Sequence, residues 1–164
     1  MANDMTSTRR AWCVSMLQNL GSAVAVAVLF PARARAEETL ATVTVYKDPS
    51  CGCCRKWVDH LVANGFAPTT RDRTDMDALK DSLGVPKALR SCHTAVAGKY
   101  LVEGHVPAAD LKRLLSTKPK DVRGLAVPGM PGGSPGMEMP GRSDHYDVIA
   151  FSTGGKSRLF ASHG

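Results

Sequence analysis

Cys51-Gly52-Cys53-Cys54 crowds three thiols into four residues, and this stretch constrains the chain more than any other. Residues 41–46 (Ala-Thr-Val-Thr-Val-Tyr) precede it, rich in β-branched side chains, and predict a strand. Lys47-Asp48-Pro49-Ser50 supplies turn and cap chemistry, with Ser50 or the cysteine loop itself as the expected helix cap. After the cysteines, Trp57, Val58, Leu61 and Val62 recur at helical spacing, and Asn64-Gly65 ends the run. The thiols therefore sit where a strand hands over to a helix. Unpaired N–H groups and the helix dipole at that place favour thiolate over thiol.

The rest of the chain follows a readable order. Residues 66–70 predict a second strand and residues 72–83 a second helix, with Met76, Leu79 and Leu83 turned inward and Asp75, Asp77 and Lys80 in water. Residues 94–97 and 100–105 flank Gly98-Lys99 as a hairpin. Pro107 opens a third helix whose apolar positions are Leu111, Leu114 and Leu115. Periodicity alone supports a small α/β domain. The strand–cysteine loop–helix start and the hairpin before the last helix suit a thioredoxin-like plan, a mixed sheet flanked by helices. Residues 124–141 are rich in Gly, Pro and Met and show neither helical nor strand period. Residues 146–151 and 158–161 then regain strand character around Gly154-Gly155, so an added β-hairpin is expected, and the Gly/Pro/Met segment reads as a structured loop tethered at both ends.

Thiolates are soft, charged ligands that suit Cu(I), and closely spaced cysteines can bridge several such ions. A mononuclear zinc site more often draws on separated C-x-x-C pairs. Soft-metal binding, Cu(I) foremost, is the leading reading, thiol redox chemistry its rival, and a structural zinc or iron–sulfur site a third. Cys92 becomes a fourth candidate ligand, because in a thioredoxin-like fold the loop before the third strand faces the helix-start cysteines. Met130, Met137 and Met139 offer thioethers, and Gly129, Gly132, Gly133 and Gly136 would let that loop pass close over the cysteines. His93 adjoins Cys92, as a ligand, a hydrogen-bond partner of the sulfur, or neither. His145 is a weaker ligand candidate. His60 is expected in solvent, His105 at a strand end or cap, and His163 in a disordered terminus. No phosphate-binding glycine motif, hydrolase triad or carboxylate pair is present.

Arg9-Arg10, an uncharged stretch over residues 11–30 and Ala34-Arg35-Ala36 have the form of a cleaved export signal, residues 1–36; retention as a membrane anchor is the alternative. The twin arginines leave the Sec and twin-arginine routes both open. Residues 37–164 then form one domain. Loss of Arg9, Arg10, Arg33, Arg35 and Asp4 takes the formal net charge from +6 to +3, and no arginine cluster marks a nucleic-acid surface. Cys13 leaves with the signal, and three of the four remaining cysteines fall together, a poor framework for stapling distant loops.

The cysteine loop, Ser91-Cys92-His93-Thr94, Val102-Glu103-Gly104-His105-Val106-Pro107 and the stretch from Gly124-Leu125-Ala126-Val127-Pro128-Gly129-Met130-Pro131 through Gly136-Met137-Glu138 together resemble the CopG-like family of exported bacterial proteins associated with copper resistance. The resemblance spans essentially all of residues 37–164. It implies a thioredoxin-like domain, a periplasmic location and copper held as Cu(I), more than one ion, by Cys51, Cys53, Cys54 and Cys92, with Met130 and Met137 in the signature loop. Copper-efflux or copper-oxidising proteins of the periplasm are the partners that role implies. Cys51 and Cys54 keep the C-x-x-C spacing of redox thioredoxins, which leaves thiol–disulfide or copper oxidoreduction as the alternative. Cys92-His93 stands where thioredoxins carry a proline that keeps metals from the thiols, and this departure favours metal binding.

Overall fold

The computed structural model describes residues 42–141 and 143–164. The expected export signal lies outside the described residues. Among these, no helix is long and apolar enough to cross a membrane.

Strand β1 (Val43–Lys47) alternates as its sequence requires, with Val43 and Val45 fully buried. Helix α1 (Gly52–Ala63) turns Cys54, Trp57 and Leu61 inward. Strand β2 (Pro68–Asp72) pairs parallel with β1. Helix α2 (Met76–Leu83) ends on Gly84 in the left-handed region, φ 73°. Strands β3 (Thr94–Ala97) and β4 (Tyr100–Glu103) form the expected antiparallel hairpin, and β3 lies antiparallel to β1. Helix α3 (Ala108–Thr117) follows, opened by Pro107. Strands β5 (Gly124–Ala126), β6 (Tyr146–Phe151) and β7 (Ser157–His163) extend the sheet to seven strands in the order β2-β1-β3-β4-β5-β6-β7. The mixed sheet, the order β1-α1-β2-α2-β3-β4-α3 and the place of β1 between β2 and β3 are compatible with the thioredoxin-like plan. Val43, Val45, Trp57, Leu61, Val102, Leu111, Leu114 and Leu125 share one core, and the Trp57 indole N–H donates to the Val106 carbonyl at 2.9 Å.

Two expectations need correction. Residues 124–126 are a strand, although the sequence shows no alternation there. All three are buried, between β4 on one side and β6 on the other, and a strand covered on both faces has no polar face to reveal it. Gly124 fits because a Cβ there would collide with the Leu101 carbonyl and the Phe151 ring.

Lys80 is not in water. It is 2% exposed and ion-paired with the fully buried Glu103. Its ammonium also donates to the Thr94 hydroxyl at 2.9 Å. The Thr94 hydroxyl in turn donates to the second Glu103 oxygen at 2.6 Å. Thr94 and Glu103 lie directly opposite in the β3–β4 ladder, and Lys80 reaches them from α2. Helical spacing places Lys80 on one turn of a helix, but it cannot show that a carboxylate waits on the sheet beneath.

Candidate metal centre

Cys51 is the N-cap residue of α1, and no side chain caps the helix. Ser50, the expected cap, turns back instead: its N–H donates to Asp48 Oδ1 at 2.8 Å and its hydroxyl bonds the same oxygen. The Cys51 N–H donates to the Asp48 carbonyl at 3.1 Å and closes the turn. With no acidic residue in the first turn, the free N–H groups face the cysteine loop.

The four predicted cysteines come together. The sulfurs of Cys51, Cys53, Cys54 and Cys92 all lie within 4.8 Å of one another. Cys51 and Cys54 are joined as a disulfide, with Cα atoms 5.4 Å apart, and Cys53 and Cys92 are free thiols. Cys53 Sγ stands 3.4 Å from Cys51 Sγ. Adjacent Cys53 and Cys54 part ways: Cys54 is fully buried, whereas Cys53 is half-buried and lines an outward groove of about 850 Å³. Burial pushes the Cys92 thiol up to about 12, and Cys53 beside it adds to the rise through its charge and a hydrogen bond.

The Gly/Pro/Met segment is tied to the domain as expected, and Gly136 (φ 86°) is where it passes over α1. A Cβ there would sit 2.8 Å from the Trp57 nitrogen and 3.0 Å from the Cys53 carbonyl oxygen. Of the other three glycines, Gly129 has nothing within 4 Å and Gly133 packs on Asp144, so neither makes this approach. The pass brings Met137, half-buried, and Met139 to the wall of the groove that holds Cys53. Met130 is 55% exposed and is not part of that wall.

The histidines depart from expectation. His105 is fully buried, with Nε2 3.1 Å from Cys92 Sγ and Nδ1 2.8 Å from the Pro135 carbonyl oxygen. His93 is fully buried, with Nδ1 3.2 Å from the same sulfur and Nε2 without a hydrogen-bond partner. His60 caps α3, accepting the Ala108 N–H at 3.1 Å, because the α3 N-terminus is packed against this face of α1. His163 is held by β7: it stacks on Tyr146 at 5.2 Å and bonds Asp110 at 2.7 Å. His145 has an exposed side chain 3.5 Å from Asp147 and does not join the cysteines. The importance of His105 escaped the sequence reading, although the signal was there. A turn at Gly98-Lys99 fixes Ala97 opposite Tyr100, and the same register continued outward sets Cys92 opposite His105.

Burial lowers the pKa of His60, and burial likewise lowers His93 (with His105 and Lys80 adding) and His105. A depressed folded-state value means the unfolded chain binds more protons below the ordinary 6.5. The contribution of these neutral rings is therefore complete above that pH and lost as pH falls through the folded values. Urea denaturation of the metal-free protein at pH 7.5, 6.0 and 5.0 should show stability falling at each step, and His60→Gln should flatten part of the fall.

A family described as "Protein of unknown function, DUF411" matches residues 89–137, which hold Cys92, His93, His105 and the loop through Met137. Two solved structures are similar over the described domain. "Copper resistance protein copG- Form 2" is 46% identical, covers 76% of this chain and 99% of its own, and superposes with a TM-score of 0.72. "Copper resistance protein copG- Form 1" is 47% identical, covers 76% and 98%, and has a TM-score of 0.71. No curated protein matches the chain.

Proposed function

The chain belongs to the CopG-like family, and on that premise we propose that it is a periplasmic Cu(I)-binding protein that contributes to copper tolerance through the thiolates of Cys51, Cys53, Cys54 and Cys92. The observation that carries the reading is the convergence of four sulfurs within 4.8 Å. Two sulfurs sharing one ion at bonds of ~2.3 Å lie ~4.0 Å apart in a trigonal site and ~4.6 Å apart in a linear one. The cluster is therefore the right size for soft-metal coordination once the Cys51–Cys54 bond is reduced. Four sulfurs in so small a space favour bridging, hence more than one ion. Met137, on the wall beside Cys53, is the thioether proposed to complete the site. Met130, on the surface, is proposed to serve incoming or departing copper. The groove is the open approach for a periplasmic efflux or copper-oxidising partner, and export rests on the signal-like residues 1–36.

Anaerobic Cu(I) titration of the reduced protein, with copper counted against protein and free thiol, tests the reading. Tight uptake of several coppers per chain is expected. Weak or absent uptake by a folded protein with titratable thiols overturns it.

The closed Cys51–Cys54 bond favours a second reading, thiol–disulfide or copper oxidoreduction. Two thiolates that close a disulfide release two electrons, enough to take two Cu(II) to two Cu(I), and Cys53 stands 3.4 Å from Cys51 Sγ for thiol exchange. Turnover with a disulfide substrate or with Cu(II), at a rate lost in Cys54→Ser, would put this reading first.

A further inference from the structure

We infer that the groove beside Cys53 receives a small peptide thiol carrying both carboxylates and an amine, and that Cys53 passes the Cys51–Cys54 disulfide outward to it. The inference rests on the thiol–disulfide reading above; it names the class of the reductant and the sulfur that the reductant meets.

The closed disulfide does not itself line the groove. Cys54 is fully buried, and of the three cysteines in the loop only Cys53 belongs to the groove wall. Cys53 is a free thiol, and its Sγ stands 3.4 Å from Cys51 Sγ. That is within the roughly 3–3.5 Å at which two reacting atoms are poised. The exchange then runs in three balanced steps. The Cys53 thiolate attacks Cys51 Sγ; a Cys51–Cys53 bond forms, the Cys51–Cys54 bond breaks, and the electron pair and a proton go to Cys54. A thiolate in the groove attacks Cys53 Sγ and displaces Cys51, leaving a mixed disulfide on Cys53. A second thiolate attacks the outer sulfur of that bond and frees Cys53. In sum, one protein disulfide and two small thiols become two protein thiols and one small disulfide.

Size and charge select the thiol. A volume of about 850 Å³ suits a small molecule. Arg55 and Lys56 bring two exposed cations to the groove, and among the described residues neither is in an ion pair; Arg55 donates only to the Pro49 carbonyl, at 3.2 Å. Asp59, likewise without an ion pair, and Glu138 bring exposed carboxylates to the same groove. Lys47 and Asp72, also in its wall, neutralise each other at 2.8 Å. The uncommitted charges are thus cations for the ligand's carboxylates and carboxylates for its ammonium, and a guanidinium can hold a carboxylate by two parallel hydrogen bonds.

The test uses the whole metal-free protein with Cys51–Cys54 closed, mixed anaerobically with reduced glutathione or with 2-mercaptoethanol at equal thiolate concentration. Thiols are counted over time, and acid-quenched samples are mapped by mass spectrometry. The expected result is a reduction rate that saturates with glutathione and rises linearly with 2-mercaptoethanol, and a glutathione adduct on Cys53. The ratio of the two rates should fall at least tenfold in Arg55→Glu/Lys56→Glu, whose changes lie on the surface. Cys53→Ser should slow reduction by glutathione at least tenfold. An adduct on Cys51 overturns the relay through Cys53. A linear glutathione rate, or a rate ratio that the charge reversal leaves unchanged, overturns recognition in the groove; both results leave the thiol–disulfide reading standing. A folded protein whose disulfide resists both thiols overturns the inference and that reading together.

Discussion

Cys53→Ser should weaken Cu(I) binding by the reduced protein more than about 100-fold, beyond the roughly 10–100-fold lost when a group supporting a metal ligand is removed. Cys53 is the free cysteine that meets both the other sulfurs and the open groove. Its sulfur is 3.4 Å from Cys51, it acts on the Cys92 thiol through charge and hydrogen bond, and it faces the groove through which copper would arrive. Serine keeps nearly the same volume but replaces a soft, bridging sulfur with a hard hydroxyl, and at this half-buried position it leaves the core intact. Met137→Leu, which removes only a neutral thioether, should cost less than tenfold. Competition against a Cu(I) chelator of known affinity separates the two. A Cys53→Ser protein that holds copper as tightly as the original would mean that Cys53 does not bridge, and would leave it as the thiol that exchanges with Cys51.

The part of this centre that lies within one element is legible in the sequence. Cys51, Cys53 and Cys54 reveal themselves by spacing, and the strand before them and Trp57 and Leu61 after them locate the helix start. Cys92 follows once the β-α-β-α-β-β-α order is recognised, because that order sets the loop before β3 against α1. What stays hidden depends on contact across elements. Lys80 reads as a wet helix residue until Glu103 is found beneath it. His105 reads as a strand end unless the hairpin register is carried outward to Cys92. β5 is buried on both faces and so has no alternation to show. Gly136 is one of several glycines in residues 124–141, and only the packing against the Trp57 nitrogen distinguishes it. The Cys51–Cys54 bond is foreshadowed by C-x-x-C spacing, yet the same spacing serves metal binding, and spacing alone does not choose.

Glu103→Ala should destabilise the protein by about 3–5 kcal/mol, the usual cost of removing one partner from a buried ion pair. The carboxylate accepts from Lys80, from the Thr94 hydroxyl at 2.6 Å and from the Ser91 N–H at 2.7 Å, so its loss strands a buried ammonium and two polar groups at once. Ser91 and Thr94 flank Cys92-His93, so this one side chain also holds both ends of the segment that carries the fourth sulfur. Stability and copper binding can therefore be pulled apart. Replacing both members of the pair, Lys80→Met with Glu103→Leu, removes the stranded charge, and apolar replacements of buried pairs are often neutral or stabilising. The double variant should regain most of the stability lost in Glu103→Ala, as read from urea midpoints, while its Cu(I) affinity stays at least tenfold below that of the original, because the Ser91 N–H has lost its acceptor and only the Ser91 hydroxyl, bonded to the Gly129 carbonyl, still holds that end of the segment. Recovery of both together would mean that Glu103 serves only the fold, and that the position of Cys92 is set elsewhere, by the His93 carbonyl's bond from the Gly104 N–H at 2.9 Å.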